Sequence, residues 1–173
     1  PKMFFNKNLK NFRLSNINQK IELLSNLKVD FVITKKFDKK FSKTKALNFI
    51  SQILNKKLSS KFIFVSNNFR FGNKREGNVN LLKKYEKLFN YKVVKPEPLI
   101  KSKKIVSSSL IRNLLENGLL NKANNLLKRN WAIQGVVKKG RQIGKKIGFP
   151  TCNIDINDYV LAKPGVYAVR VLR

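Results

Sequence analysis

Hydrophobic positions near the start of the chain follow helical spacing and then change to a short β-branched run. Ser15 or Asn16 can cap a helix, and the residues after them that share one helical face are Ile17, Ile21, Leu24 and Leu27. The run 29–34, Val-Asp-Phe-Val-Ile-Thr, predicts a short buried strand. The first two predicted elements are therefore a helix and a strand.

The same alternation continues to about residue 94. A helix is predicted over 43–57, with inward positions Ala46, Leu47, Ile50, Ile53 and Leu54. A strand is predicted over 61–65, a third helix over 81–89 and a strand over 91–94. Strands separated by helices of this length predict an α/β fold whose parallel sheet is wound by right-handed crossovers.

The pattern changes after residue 127. Helices are predicted from Ser107 to Gly118 and over 119–127, whereas 131–137 and 165–171 have strand character without helical spacing. We therefore predict an α/β domain over 1–128 and the beginning of an all-β domain over 131–173.

Composition limits the chemistry more than it limits the fold. The chain has 173 residues, 42% of them apolar, which is enough for a globular core. It has one cysteine, Cys152, and no histidine, which excludes a Cys/His zinc site and a Ser-His-Asp triad within these residues. The sequence shows no membrane span and no signal peptide, so the expected location is cytoplasmic. It does not indicate an oligomeric state.

The chain is strongly basic, with 38 Lys and Arg against 9 Asp and Glu and a formal net charge of +29. Such a charge by itself suggests a nucleic-acid-binding module. The lysines, however, recur throughout the chain among many Asn and Ile residues, which is typical of a general compositional bias. We therefore expect small anionic nucleotides, rather than nucleic acid, as the ligands.

Three glycines and a basic cluster precede a Pro-Thr-x-Asn turn in the run 140–153. Glycines let a backbone approach phosphate oxygens, cations balance their charge, and the hydroxyl of Thr151 and the amide of Asn153 are suitable ligands for Mg²⁺. The structural alternative is a glycine-rich turn between two strands. Cys152 is expected to be a small buried residue.

Three successive serines, Ser107, Ser108 and Ser109, stand at the start of a predicted helix, followed one turn later by Arg112. Free N–H groups, the helix dipole and a guanidinium can together bind phosphate. The alternative is an ordinary N-cap with a solvated arginine.

The run 65–72, Val-Ser-Asn-Asn-Phe-Arg-Phe-Gly, directly follows a predicted strand, where α/β folds place ligand-binding loops. Its aromatic residues can border a flat ring while Arg70 or Asn68 reaches a phosphate. The alternative is a loop that is anchored by two buried phenylalanines.

Taken in their order along the chain, the three runs resemble motifs of the bacterial bifunctional riboflavin kinase/FAD synthetases. The run 106–112 resembles Ile-Ser-Ser-Thr-x-Ile-Arg, which holds the ATP triphosphate in nucleotidylyltransferases. The run 65–72 resembles the Gly-x-Asn/Asp-Phe-Arg-Phe-Gly loop, and 150–153 resembles the Pro-Thr-Ala-Asn kinase signature. The resemblance implies a Rossmann-like nucleotidylyltransferase domain with a parallel sheet, followed by the start of an all-β riboflavin kinase barrel.

The resemblance also implies roles for individual residues and a set of small-molecule ligands. Asn68 and Arg112 would be catalytic, and Asn68, Phe69 and Arg70 would bind flavin. Mg²⁺ would be held by Thr151 and Asn153. The residues expected to bind ATP phosphates are Ser107, Ser108, Ser109, Arg112, Gly140, Arg141, Gly144, Gly148 and Thr151. The substrates and products would be ATP, riboflavin, FMN and FAD.

Two elements of that family are missing from these 173 residues, namely the His-x-Gly-His loop and the glutamate that deprotonates riboflavin. We therefore expect a fragment, truncated at both ends, that is inactive or nearly so by itself. Two alternatives remain open, a nucleotidylyltransferase with another acceptor and a basic nucleic-acid-binding module.

Overall fold

The computed structural model describes residues 2–6, 8–141, 143–156 and 158–172. Contacts between Cα atoms divide the chain into two units. The first holds residues 35–105, and the second holds residues 2–34 together with 106–172. Each unit has its own cluster of buried apolar side chains.

Most helices are short. In chain order they are α1 Lys2–Phe5, α2 Ile17–Asn26, α3 Lys39–Ser42, α4 Ala46–Asn48, α5 Val79–Lys84, α6 Glu86–Phe89, α7 Ser108–Glu116, α8 Leu120–Leu127 and α9 Ile143–Lys146. Helix α4 continues into a π-helix at Phe49–Lys57, and a 3₁₀ turn covers Asn73–Arg75.

The strands of the described residues form pairs. They are β1 Phe62–Phe64 with β4 Lys92–Val94, β2 Arg70–Phe71 with β3 Gly77–Asn78, β5 Ile100–Lys101 with β6 Lys104–Ile105, and β7 Val137–Lys138 with β8 Asn153–Ile154. The first pair is parallel and the other pairs are antiparallel.

The unit of residues 35–105 is built around the parallel pair, with Ile63 opposite Val93 in the register. Helices α5 and α6 connect these two strands, as the alternation of helices and strands predicted. Ile63 and Val93 pack in the core with Ala46, Ile50 and Leu82. The mixed α/β architecture with a parallel sheet is thus confirmed.

The predicted helix 43–57 begins later and is partly of another type. Leu58 N–H donates to the Ile53 carbonyl at 3.0 Å, which is the i→i−5 bond of a π-helix. Ala46 and Ile50 are buried as predicted, but Leu47 is exposed. Leu47 lies in α4, before the π-helix begins, and it is rotated by about 100° around the helix axis from the buried Ala46.

The prediction of a buried strand at 29–34 is wrong. Phe31 is 86% exposed and Ile33 is 71% exposed, and no described segment pairs with this run. A β-branched run forms a strand only where a partner accepts its backbone hydrogen bonds.

The second unit contains three helices at the predicted places. Asn16 caps α2, since its side chain accepts from Gln19 N–H at 2.8 Å while the Gln19 side chain accepts from Asn16 N–H at 3.0 Å. Helices α7 and α8 pack together through Ile111, Leu115 and Ala123, with Val160 in the same cluster.

Two of the predicted strands in this unit are largely absent. Within 131–137 only Val137 enters a strand, because Trp131 N–H and Gln134 N–H donate to side chains instead. The run 165–171 forms no strand with any described segment, and Val166 is fully exposed. The described residues therefore contain one hairpin, β7–β8, of the predicted all-β domain.

Candidate functional site

A cavity of about 320 Å³ lies at the start of α7, within the second unit. This volume falls in the usual range of small-molecule sites. Its described lining residues are Phe12, Arg13, Leu14, Ser15, Asn16, Ile17, Lys20, Ser108, Arg112, Leu127 and Arg129. Four of these are basic and none is acidic, so the cavity suits an anion.

Arg112 is fixed in this cavity by the chain segment before α2. Its Nε donates to the Phe12 carbonyl at 2.8 Å, and its guanidinium carbon lies 3.6 Å from the centre of the Phe12 ring. Desolvation lowers the pKa of Arg112, while the charge of Glu116 on the same helix acts in the opposite direction. Arg112 is therefore a half-buried, oriented cation rather than a solvated one.

The three serines have different environments. Ser107 is the N-cap of α7, and its hydroxyl accepts from Leu110 N–H at 3.2 Å. Ser108 lines the cavity beside Arg112. Ser109 is exposed and is not among the lining residues. The structure thus brings Ser108 and Arg112 together and gives Ser107 a capping role.

The loop after β1 combines anchoring with a second, smaller cavity. Phe71 is buried, and its ring stacks on that of Phe69 with 5.5 Å between centroids. Phe69 and Arg70 line a cavity of about 130 Å³, together with Asn67, Asn78, Val79 and Asn80. This volume is too small for a whole flavin, but the walls are polar and basic.

Asn68 is exposed and does not line the second cavity. Its side-chain oxygen accepts a hydrogen bond from the Ser66 hydroxyl at 3.0 Å, and Phe69 N–H donates to the Ser66 carbonyl at 3.0 Å. The amide of Asn68 is therefore held by its own loop and faces solvent.

The glycine-rich run forms the loop of the β7–β8 hairpin. A Cβ at Gly140 would clash with Asn153 Nδ2, and one at Gly144 would clash with the Phe149 carbonyl oxygen. Gly148 has φ +83°, a conformation that favours glycine. The glycines thus allow the loop to close on itself beside Thr151 and Asn153, with Arg141 exposed.

Thr151 stands two residues before Asn153, the first residue of β8, and its methyl carbon lies close to Gly144. Both are exposed, and both are neutral ligands. They fit Mg²⁺ only if phosphate oxygens complete its coordination, as is usual for this ion. The described residues contain no cluster of three or more Cys, Asp or Glu that could hold a metal independently. Cys152 between them is exposed, which corrects the expectation that it is buried.

Comparison with known proteins shows the family of the chain. A family model described as FAD synthetase matches residues 1–110, and one described as riboflavin kinase matches residues 127–173. The chain belongs to the FAD synthetase family. The resemblance seen in the three sequence motifs is thereby confirmed.

Curated relatives carry the name bifunctional riboflavin kinase/FMN adenylyltransferase. One from Buchnera aphidicola is 39% identical and matches 99% of this chain and 55% of the relative. One from Escherichia coli is 37% identical, with 92% and 51% covered, and one from Haemophilus influenzae is 40% identical, with 92% and 52% covered. The chain thus spans about half the length of the curated relatives it matches.

A solved structure titled as a macrolide-efflux protein from Streptococcus pneumoniae has a similar fold. It matches with a TM-score of 0.71 and 26% identity, over 89% of this chain and 49% of that one. In the part of the chain that the structure describes, no helix combines the length and hydropathy of a membrane span.

Several cavity residues were not predicted from the sequence, including Phe12, Arg13, Lys20 and Arg129. Lys20 and Arg129 are two of many basic residues in this chain, so their type alone carries no signal. Arg129 has one local indication, its position just after the end of a predicted helix. Phe12 and Arg13 lie in a segment without a recognisable pattern.

Proposed function

We propose that the whole protein containing this chain makes FAD from riboflavin in two ATP-dependent steps. In the first, the γ-phosphoryl group of ATP passes to riboflavin and gives FMN and ADP. In the second, AMP from another ATP passes to FMN and gives FAD and pyrophosphate. The two family models, in this order, and the names of the relatives support the proposal.

The observation that carries the proposal is the basic cavity at the start of α7. Adenylyl transfer requires a triphosphate to be positioned and its charge to be neutralised while pyrophosphate leaves. Ser108 offers a hydroxyl and Arg112 an oriented guanidinium in one cavity, and none of its described lining residues is acidic. We assign the binding of the triphosphate to these residues and to Ser107 and Ser109. The backbone N–H groups at the start of α7 have no partner within the helix and would also donate to the phosphates.

We place the flavin at the loop after β1. Phe69 and Arg70 line the smaller cavity, which suits the phosphate of FMN better than its ring system. Asn68, exposed beside them, would contact FMN as it binds. In this assignment the isoalloxazine ring lies outside the small cavity, against the exposed side of the loop.

We assign the kinase step to residues 131–173 and adenylyl transfer to residues 1–128. The hairpin loop with Gly140, Arg141, Gly144 and Gly148 would cover the ATP phosphates. Thr151 and Asn153 would hold Mg²⁺ together with these phosphates. The metal ion, when bound, neutralises charge on the phosphate oxygens.

The 173 residues alone are proposed to catalyse neither step at a useful rate. The chain has no histidine, so the His-x-Gly-His loop of the family is not within it. Binding of ATP or FMN should still be measurable, because the two cavities are formed by residues of this chain.

The test separates the two steps in the whole protein by chromatography of fluorescent flavins. Arg112→Gln is expected to slow the conversion of FMN to FAD by about 10²- to 10³-fold and to leave the formation of FMN from riboflavin unchanged. Asn153→Ala is expected to slow the formation of FMN from riboflavin and to leave the conversion of FMN to FAD unchanged. Each variant therefore serves as the control for the other.

Normal kinase turnover in Asn153→Ala would contradict the metal assignment, and normal FAD formation in Arg112→Gln would contradict the triphosphate assignment. Transfer of AMP to another acceptor but not to FMN would favour a different nucleotidylyltransferase. Binding to oligonucleotides that weakens steeply with salt, without binding of ATP or flavin, would favour a nucleic-acid-binding module.

A further inference from the structure

The cavity that holds Ser108 and Arg112 also contains an arginine that none of the three motifs includes. Arg129 lies just beyond the end of α8 and lines the same cavity. It falls among the residues matched by the riboflavin kinase model, whereas Ser108 falls among those matched by the FAD synthetase model. The walls of one cavity therefore come from both matched regions.

Helix geometry explains why Arg129 reaches the start of α7. Helices α7 and α8 have nine and eight residues and are joined by a turn at Asn117, Gly118 and Leu119. Two packed helices of nearly equal length, connected by such a turn, place the beginning of the first beside the end of the second. Arg129 follows that end directly.

The turn that carries Arg129 is held in place on both sides. Lys128, with φ +55°, ends α8 in the left-handed conformation. The Asn124 side chain accepts from Trp131 N–H at 2.8 Å, and Trp131 Nε1 donates to the Leu14 carbonyl at 2.9 Å. Leu14 itself lines the cavity, so this turn and the cavity wall are fixed to each other.

The charge of Arg129 is only partly balanced by its surroundings. The side chain is half-buried, and desolvation lowers its pKa. The ion pairs among the described residues, Arg13 with Asp158 and Lys138 with Asp155, do not include it. A cation that has lost part of its water without gaining a carboxylate is stabilised by a bound anion.

We infer that Arg129 binds the triphosphate of ATP together with Arg112, so that a residue from the kinase-matched region contributes to the adenylyltransferase site. The inference rests on the proposed function of this cavity. Two guanidinium groups present planar, forked donors that match phosphate oxygens. Both arginines line one cavity, and a chain of three phosphates offers more oxygens to them than a single phosphate does.

The test measures binding of sodium tripolyphosphate to the 173-residue chain by isothermal titration calorimetry at physiological salt. Arg129→Gln is expected to raise the Kd about tenfold, the usual effect of losing a charged hydrogen bond. Lys122→Gln is the matched control, since it removes the same charge from an exposed position on α8 outside the cavity. Its Kd should stay within about twofold of the wild type, because surface charges contribute little.

Equal Kd values for Arg129→Gln and Lys122→Gln would overturn the inference. If Arg112→Gln still lost affinity in that case, the proposed function of the cavity would stand. No binding by the wild type, or no effect of Arg112→Gln, would overturn both. Orthophosphate serves as a second probe, and Arg129→Gln should change its Kd less than that of tripolyphosphate.

Arg129→Lys covers the possibility that loss of charge disturbs the turn. Lysine keeps the charge and the apolar stem but lacks the planar fork. We expect its Kd to lie between those of the wild type and Arg129→Gln, with an unchanged circular dichroism spectrum. A wild-type Kd in a folded Arg129→Lys chain would overturn the role of the fork.

Discussion

Arg112 and Phe12 hold each other through one hydrogen bond and one ring contact. Arg112 Nε donates to the Phe12 carbonyl at 2.8 Å, and the guanidinium carbon lies 3.6 Å from the ring centre. A guanidinium has five N–H donors, and this hydrogen bond uses one of them. The remaining four stay on an oriented group, which reduces the entropy that a bound phosphate would otherwise have to remove.

The first prediction concerns this ring contact. Phe12→Leu keeps the carbonyl that accepts from Arg112 but removes the aromatic face. The Kd for tripolyphosphate should rise about two- to fivefold, the usual worth of a partly exposed cation–π contact. Titration calorimetry of the 173-residue chain measures it. Phe31→Leu is the control, because Phe31 is 86% exposed. Equal Kd values for the two variants would show that the ring has no part in orienting Arg112.

The second prediction concerns two glycines with positive φ. Gly72 has φ +76° and ψ +176°, and a Cβ there would lie 2.8 Å from the Ala46 backbone. Gly118 has a similar φ of +74°, but its nearest neighbour would be the flexible Lys163 side chain at 3.3 Å. Urea unfolding should show a loss of roughly 3 kcal/mol or more for Gly72→Ala and about 1 kcal/mol for Gly118→Ala. Similar losses would mean that the approach to Ala46 is not rigid.

The third prediction is a pH dependence. Tyr91 donates to the Leu82 carbonyl at 2.6 Å, and desolvation, assisted by the charge of Glu86, raises its pKa to about 12. A raised pKa in the folded state means that the Tyr91 hydroxyl loses its proton more easily in the unfolded chain than in the folded one. Its contribution to stability is therefore complete below about pH 10, the ordinary pKa of tyrosine, and is lost as the pH rises towards 12.

Tyr91→Phe tests this dependence. At pH 8 the variant should lose about 1 kcal/mol of unfolding free energy, the usual worth of one hydrogen bond. Between pH 10 and pH 12 the difference from the wild type should shrink, as measured by urea unfolding. The many lysines titrate equally in both chains, so the difference isolates Tyr91. A gap that stays constant up to pH 12 would contradict the prediction.

The fourth prediction concerns the hydroxyl of Tyr159, which is buried in the second unit. It donates to Gln19 Oε1 at 2.5 Å and accepts from Gln134 N–H at 3.1 Å. Tyr159→Phe should therefore reduce the free energy of unfolding by about 1–2 kcal/mol, because the buried Gln19 side chain loses a hydrogen-bond partner that water does not replace.

Tyr167→Phe is the matched control for that experiment. The Tyr167 hydroxyl donates to the Lys163 carbonyl, but the side chain is exposed and water can replace it. Its loss should stay within about 0.5 kcal/mol in the same urea titration. Equal losses for the two variants would show that the Tyr159 contacts are not a buried network.

Sequence reasoning succeeded where a local signal and the tertiary contacts agree. Asn16 caps α2, the serines start α7, and strands 62–64 and 92–94 pair in parallel. At these places helical periodicity, capping residues and the alternation of helices and strands all predicted the same structure. It failed at 29–34 and 165–171, where β-branched composition predicted strands that have no described partner. Strand propensity describes a fit to a sheet and not an intrinsic backbone preference.

Some residues of the candidate site were likewise predicted from the sequence, and others were not. Ser108 and Arg112 stand in a recognisable run, and the structure places both in one cavity. Arg129 and Lys20 reach that cavity through the turn after α8 and the start of α2. The only local indication of Arg129 is its position after a predicted helix, and Lys20 has none. Phe12 contributes a backbone carbonyl as well as a ring, and no pattern of side chains identifies a carbonyl acceptor.

A short parallel bridge joins Arg13 to Tyr159, with Arg13 N–H donating to the Asp158 carbonyl and Val160 N–H to the Arg13 carbonyl, each at 2.8 Å. This bridge brings together two segments that are far apart in the sequence and therefore leave the ribosome at different times. A nascent chain must therefore hold the segment around Arg13 unpaired until Val160 has emerged from the exit tunnel. The pocket around Arg112 is consequently completed only after the glycine-rich hairpin has been translated.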